Sequence, residues 1–299
     1  MKNLILLLPV ICGIMWGSNG IFVRELSAFG VDRIGVLAAR FVGAAAVVFL
    51  VILAYDRKLF KIKRAGDLFY FVGSGLVGML ALNFCYNEAI NRLTLSLAAV
   101  LLNLNPVFVV ALAAILFHEK ITVRKVVCMA LAILGCVFVS GIFEETAGIK
   151  WSAAGILIGL VAAFFYALYN IFSKFATEKG YHTFTIIFYS FLLISIVLAP
   201  LTNWGQIKDY AAAAPARHCL FLLLFSLCTS VLPYILFTFA LKHGESGKCS
   251  ILAAGGEPIA ASVFGMLIFH ELPTFFMLLG LAVTIVALAF LCMSQKENL

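Results

Sequence analysis

Charged residues are scarce in this 299-residue chain. Asp, Glu, Lys and Arg make up 12% of it and hydrophobic residues 64%, whereas about 25% of a soluble globular domain is charged. The mean hydropathy is +1.11. So few charges cannot cover a water-facing surface, and this excludes a soluble domain as the main fold.

The sequence also lacks the usual signatures of metal and catalytic sites. Its eight cysteines form no C-x-x-C pair, so neither a zinc site nor a disulfide framework is indicated. His118 and Glu119 are adjacent, as are His270 and Glu271, and adjacent helical residues point about 100° apart, unlike the ligands of zinc motifs. Basic residues do not cluster into a nucleic-acid patch. We expect no catalytic residue, no metal, no cofactor and no nucleic-acid partner.

Long apolar runs fill most of the chain. Each is about 20 residues long, the length that a helix needs to cross the hydrocarbon core, whereas barrel strands would alternate over about ten residues. The sequence predicts an all-α membrane protein with ten transmembrane helices and the bilayer as its solvent. The predicted spans are 4–23, 33–54, 67–90, 96–117, 123–141, 152–173, 183–201, 218–241, 248–269 and 275–293.

The two halves of the chain are related in sequence. A shift of 152 residues places Pro106 on Pro258, and a shift of 150 residues relates the first span to the sixth. Five spans per half is an odd number, so the second half must enter the membrane from the opposite side. The sequence therefore predicts two inverted five-helix repeats, 1–142 and 151–299, joined by a loop at 143–150, as in many secondary transporters.

Lysine and arginine predict the orientation. Of the 21 such residues, 14 fall on the side of the predicted N-terminus, six on the other side, and Arg40 lies within a span. Positive loops face the cytoplasm. We expect a multi-pass protein of the inner or plasma membrane with both termini in the cytoplasm.

Two motifs resemble those of a known family. Trp16, Gly17, Ser18 and Asn19 in the first span, with the Pro…Glu pattern that closes the fourth and ninth spans, resemble the EamA-type transporters of the drug/metabolite transporter superfamily. The resemblance covers nearly the whole chain. It implies alternating-access transport of a small metabolite, often export of amino acids or related compounds. It also implies a cavity among helices 1, 3, 4, 6, 8 and 9, with helices 5 and 10 at the periphery, where a homodimer often forms.

Two charged residues within spans are candidates for the site, because charge in hydrocarbon is costly and usually functional. Glu257 precedes Pro258, and a proline frees a backbone carbonyl one turn earlier. A carboxylate beside such carbonyls suits a cation, an amine or a proton, although a purely structural cap is the alternative. Arg40 is a candidate charge partner, either for a substrate carboxylate or for a carboxylate of the protein.

Polar and aromatic side chains complete the predicted substrate site. Amides in lipid need partners and should face inward, and aromatic rings can hold an amine. Packing between helices is the alternative for each of them. Asn103 is two residues from Asn105 and points away from it, so we assign it to packing. The remaining candidates are Trp16, Asn19, Asn83, Tyr86, Asn105, Tyr166, Tyr169, Asn170 and Tyr234.

These features predict a secondary transporter that moves an amino acid or a related amine or polar compound, outward, by rocking its halves about kinks at Pro106 and Pro258. Proton coupling through Glu257, exchange and facilitated diffusion fit equally well. The alternatives are an intramembrane enzyme acting on a lipid-linked substrate and an importer of an amine such as choline.

Overall fold

Helices make up the architecture of this protein. The computed structural model describes residues 2–93, 95–139, 143, 152–269 and 274–292, and these residues contain no strand. The α-helices are α1 (Lys2–Gly17), α2 (Asn19–Phe29), α3 (Arg33–Tyr55), α4 (Leu68–Val72), α5 (Ala81–Arg92), α6 (Leu95–Leu102), α7 (Asn105–Leu116), α8 (Val123–Val139), α9 (Ala153–Glu178), α10 (Thr183–Leu198), α11 (Trp204–Ala213), α12 (Pro215–Ser226), α13 (Leu232–His243), α14 (Ser246–Phe269) and α15 (Phe275–Cys292).

Each of the ten predicted spans has a helical counterpart. Within the described residues, eight helical stretches are long and apolar enough to cross a bilayer, and a shorter apolar helix follows at Phe275–Leu291. The remaining counterpart, α8, is apolar but carries Arg124 and Lys125 in its first turn. The chain is therefore a multi-pass membrane protein, in agreement with its composition.

Two parts of the fold differ from the expected spans. The first span continues past residue 23, because α2 follows α1 after a turn at Ser18 and runs on to Phe29. The connection between α10 and α12 contains the additional helix α11, with Tyr210 buried on one face. Its polar and apolar residues are mixed, so no apolar run marked it in the sequence.

The two repeated prolines lie in different helical contexts. Pro106 occupies the first turn of α7, after a turn at 103–104 that separates α6 from α7. A proline is tolerated there because its missing N–H would have no intrahelical partner. Pro258 lies inside α14, which continues through it. At the break before Pro106 the amides of Asn103 and Asn105 donate to the Ala99 and Leu102 carbonyl oxygens, whereas α14 keeps Glu257 on a continuous helix.

Glycines bring α1 very close to the segment of α14 that carries Glu257. A Cβ atom on Gly17 would lie 2.6 Å from the carbonyl oxygen of Glu257, and one on Gly256 would lie 2.9 Å from the carbonyl oxygen of Val10. Small residues at such positions let helix backbones approach in a membrane. Trp16 and Glu257 are therefore held on two tightly packed helices.

Several local features recur about 150 residues apart. Gly30 and Gly180 both end a helix with positive φ, 101° and 76°. Two π-helical segments, Gly73–Leu80 and Leu227–Val231, replace α-helix in corresponding stretches of the third and eighth spans. A π-helix shifts the backbone hydrogen bonds by one residue and occurs often at functional sites.

A central core joins the two halves of the chain. Its buried members include Trp16 and Phe41 from the first half and Phe191, Tyr234 and Phe237 from the second. At the edge of the fold α8 packs against α15, where Gly135 approaches the carbonyl oxygen of Gly280. The small residues of these helices therefore serve a contact within one chain, and the homodimer stays a prediction.

Candidate functional site

Aromatic rings from three helices meet in the central core. The Trp16 ring of α1 lies 5.2 Å from the Tyr234 ring, 5.4 Å from the Phe237 ring and 6.2 Å from the Tyr166 ring, between centroids. Edge-on and tilted contacts at these distances are favourable for aromatic pairs. The structure thus brings together three of the predicted aromatic residues and adds Phe237, which the sequence analysis missed.

Tyr169 extends this cluster on the buried side. Its ring lies 5.3 Å from that of Tyr234, and its hydroxyl lies 3.4 Å from the hydroxyl of Thr238. The side chain is 1% exposed. Tyr169 is therefore a packing neighbour of the cluster, whereas Tyr166 is only partly buried.

Arg40 lies beside the aromatic cluster and is almost completely buried. Its Nε atom donates to the Ser230 hydroxyl at 2.7 Å, and Nη2 donates to the Thr229 carbonyl oxygen at 2.7 Å. Both partners belong to the π-helical segment Leu227–Val231. The second span was not expected to line the cavity fully, yet its arginine reaches across to the eighth span.

Glu257 is the acidic residue whose charge acts on Arg40. Its charge interacts electrostatically with that of Arg40 and with the hydroxyl groups of Tyr86, Tyr166 and Tyr234. The carboxylate is half-buried. Arg40 and Glu257 form no ion pair within 4.0 Å, and Arg40 shares a side-chain hydrogen bond with Tyr234 instead.

Glu257 also interacts with a group of polar side chains outside the aromatic cluster, which includes Tyr86. Tyr86 and Glu257 both interact with the Cys136 thiol, which accepts a hydrogen bond from the Asn103 amide at 3.2 Å. Asn103 was assigned to packing because it points away from Asn105. The structure nevertheless places it on the side of Glu257.

Three of the predicted site residues carry a buried polar atom that has no hydrogen-bond partner among the described residues. They are Trp16 Nε1, Asn19 Oδ1 and Asn170 Oδ1. A buried polar group without a partner costs about 1–3 kcal/mol. One donor and two acceptors are therefore available to a polar ligand or to water.

Three of the predicted amides form hydrogen bonds within the protein. Asn83 donates to the Met79 carbonyl at 2.7 Å, and Asn170 donates to the Tyr166 carbonyl at 2.8 Å. The Asn105 Oδ1 atom accepts from the Ser250 hydroxyl at 2.8 Å, so Asn105 joins α7 to α14. Its direct contact with substrate stays a prediction.

Glu119 ends the first copy of the repeated motif in a contact between helices. Its carboxylate accepts the backbone N–H of Ser246 at 2.7 Å, at the N-terminus of α14, where the helix dipole favours an anion. Lys125 lies 3.8 Å from the same carboxylate. Ser246 is eleven residues from Glu257, about 16 Å along the helix. The second copy, at 270–271, lies outside the described residues.

Comparison with known proteins identifies the family. The model of the EamA-like transporter family matches residues 3–141 and 153–293. The chain belongs to this family. The two matches divide the chain at the loop that separates the predicted repeats.

Individual relatives agree with the assignment. An uncharacterized transporter of Archaeoglobus fulgidus is 27% identical over 69% of this chain and 71% of its own length. The pseudopaline exporter CntI of Pseudomonas aeruginosa is 25% identical over 74% of both chains. A solved crystal structure superposes with a TM-score of 0.76 at 15% identity, over 96% of this chain and 95% of that one, and this likeness supports the fold alone.

Proposed function

We propose that this protein is a secondary transporter that exports a small metabolite, an amino acid or a related amine or polar compound, across the cytoplasmic membrane. The observation that carries the proposal is the cluster of Trp16, Tyr166 and Tyr234 in the core between the two halves, on which the charges of Arg40 and Glu257 act. The Trp16 Nε1 atom in the same core has no hydrogen-bond partner among the described residues. A membrane protein without a ligand has little reason to retain two separated charges there.

Alternating access between two inverted five-helix repeats is the mechanism that we propose. Support comes from the double match of the family model, from the paired glycines with positive φ and from the paired π-helical segments. A site between related halves can open to either side when one half rocks against the other. The lysine and arginine distribution favours cytoplasmic termini.

The family and the names of its relatives favour transport over the alternative of an intramembrane enzyme. The matched relatives are named as transporters or as an exporter. Pseudopaline is the compound printed for one of them, and at 25% identity it does not define the substrate of this chain. The same central site would serve an importer of an amine such as choline, so the ligand set below includes choline.

A binding screen followed by flux tests the proposal. Purified protein is heated with amino acids, choline and other amines, carboxylates or nucleosides, and a ligand at 100 times its Kd should add about 2.7 kcal/mol of stability. Glu257→Gln should abolish the shift. Glu88→Gln is the matched control, because Glu88 is 44% exposed and pairs with Arg92.

Hits are then tested for movement across proteoliposome membranes. The proposal predicts saturable exchange of labelled ligand, lost in Glu257→Gln and kept in Glu88→Gln. An imposed pH gradient will drive accumulation if a proton is coupled through Glu257, and will not if the protein only exchanges. Binding without any flux would contradict the transporter assignment.

A further inference from the structure

The arginine in the core is held in one position by the opposite half of the chain. Its Nε and Nη2 atoms donate to Ser230 and to the Thr229 carbonyl, and a further side-chain hydrogen bond links it to Tyr234, so some of its five N–H groups remain for a ligand. The ionisable groups that interact most strongly with its charge are Tyr234, Glu257 and Tyr166. The guanidinium is thus fixed on one side, and its charge acts on the side where the predicted substrate residues lie.

The fold itself does not require a charge at this position. A shift of 150 residues places Arg40 on Ser190 and Phe41 on Phe191, and both phenylalanines are fully buried. Ser190 pairs with Ser74 of the other π-helical segment at 2.6 Å. In the second half, the Ser190 hydroxyl therefore makes the contact between α10 and the π-helical segment without any charge. Burying the charge of Arg40 in the membrane costs free energy, and the helix contact alone does not explain why it is there.

Glu257 supplies a charge of the opposite sign that acts on Tyr166 and Tyr234, and its backbone lies against Gly17, the residue after Trp16. The two charges interact electrostatically without forming a direct ion pair. Two opposite charges that act on one aromatic cluster, in which Trp16 Nε1 has no partner among the described residues, match a ligand that carries both an anionic and a cationic group. A guanidinium recognises a carboxylate by parallel hydrogen bonds, and a carboxylate with nearby rings suits an ammonium.

We infer that Arg40 is a specificity-determining residue that binds the carboxylate of a zwitterionic substrate while Glu257 binds its ammonium group. This inference rests on the proposed function and narrows its substrate class. Amines without a carboxylate leave the charge of Arg40 without an anionic ligand group, and carboxylates without an amine leave Glu257 without a cationic one. Sites built around such buried groups reject analogues that lack the partner.

Matched ligands test the inference with the wild-type protein alone. One set is phenylalanine, phenethylamine and 3-phenylpropanoate; the other is leucine, isopentylamine and 4-methylpentanoate. The remaining common amino acids are compared with their decarboxylated amines in the same way. At least one amino acid should bind more than about tenfold tighter than either analogue, a difference of about 1.4 kcal/mol. If no amino acid exceeds its amine by that factor, the inference is overturned.

Two variants assign the preference to its residues. Arg40→Ser, which copies the residue of the second half, should reduce the preference for amino acid over amine to within about twofold, whereas Ser190→Ala should retain it. Glu257→Gln should reduce the preference for amino acid over carboxylate. An unchanged preference in a folded Arg40→Ser protein would overturn the role of Arg40.

Flux separates this inference from the proposed function. If the wild-type protein exchanges an amine better than any amino acid, the zwitterion assignment fails and the transporter stands. If it binds amino acids with the predicted preference but moves none of them, the proposed function fails and the binding specificity stands.

Discussion

Two junctions between helices occupy corresponding places in the halves of this protein and differ in chemistry. In the first junction, α3 meets the π-helical segment Leu227–Val231 through Arg40 and its bonds to Thr229 and Ser230. In the second, α10 meets the π-helical segment Gly73–Leu80 through the hydrogen bond between Ser190 and Ser74. The second junction is neutral and closely packed, whereas the first contains a charge.

The difference separates what the fold needs from what the site needs. Both junctions hold a π-helical segment against a neighbouring helix, and the second does so with two hydroxyl groups. The charge in the first junction interacts electrostatically with Glu257 and with Tyr166 and Tyr234 of the core. The halves are otherwise related, so the presence of Arg40 in one junction and Ser190 in the other is the difference that indicates ligand binding.

Replacing Arg40 with the serine of the second junction should have the largest effect on stability. Arg40→Ser removes a charge that offsets Glu257 and leaves the Thr229 carbonyl without its donor, so we expect a loss of about 3 kcal/mol. The measurement is the unfolding free energy from detergent titration in mixed micelles. The double variant Arg40→Ser with Glu257→Gln should recover more than half of the loss, because it has no uncompensated charge.

Equal losses in the single and double variants would show that Arg40 acts through its contacts in the π-helical segment and not through its charge. The comparison between the junctions would then concern packing only.

Replacing one glycine with alanine at each junction tests which junction is more tightly packed. A Cβ on Gly75 would lie 2.8 Å and 2.9 Å from the backbone oxygen and Cα atom of Ser190, whereas one on Gly43 would meet the movable hydroxyl of Ser226. Both alanines gain the same helix propensity. We expect Gly75→Ala to cost about 2 kcal/mol and Gly43→Ala less than about 1 kcal/mol, measured as above. A larger loss at Gly43 would indicate that the charged junction is the tighter one.

Removing the hydroxyl of the neutral junction should have the smallest effect. Ser190→Ala deletes the bond to Ser74, and hydrogen bonds between transmembrane helices contribute about 0.6 kcal/mol on average. Ligand binding in Ser190→Ala should equal that of the wild-type protein within about twofold. A loss of binding similar to that of Arg40→Ser would remove the distinction between the junctions.

The helices were largely predictable from the sequence, because the length of an apolar run is set by bilayer thickness. The prediction ended the first span before Arg24 and Glu25, whereas the structure continues it in α2. It also missed α11, whose residues do not form an apolar run. Neither π-helical segment was expected, since a shift of the hydrogen bonds by one residue depends on the packing of neighbouring helices.

The candidate site was predictable as a set of residue types, but its arrangement was not. Trp16, Tyr166 and Tyr234 were selected for lying in predicted cavity helices, and the structure brings their rings together. Phe237 was missed, although it lies three residues from Tyr234 and so on the same helix face. The partners of Arg40 depend on how α3 meets the eighth span, and no local sequence pattern encodes that contact.

Exchange of a labelled amino acid by reconstituted protein tests the central claim, that the charged junction and Glu257 form the site through which substrate passes. The measurement compares proteoliposomes containing the wild-type protein, Ser190→Ala and Arg40→Ser at equal protein density. The account predicts equal exchange rates for the first two and a loss of at least about tenfold in Arg40→Ser, equivalent to about 1.4 kcal/mol. Undiminished exchange in Arg40→Ser, or an equal loss in Ser190→Ala, would contradict it.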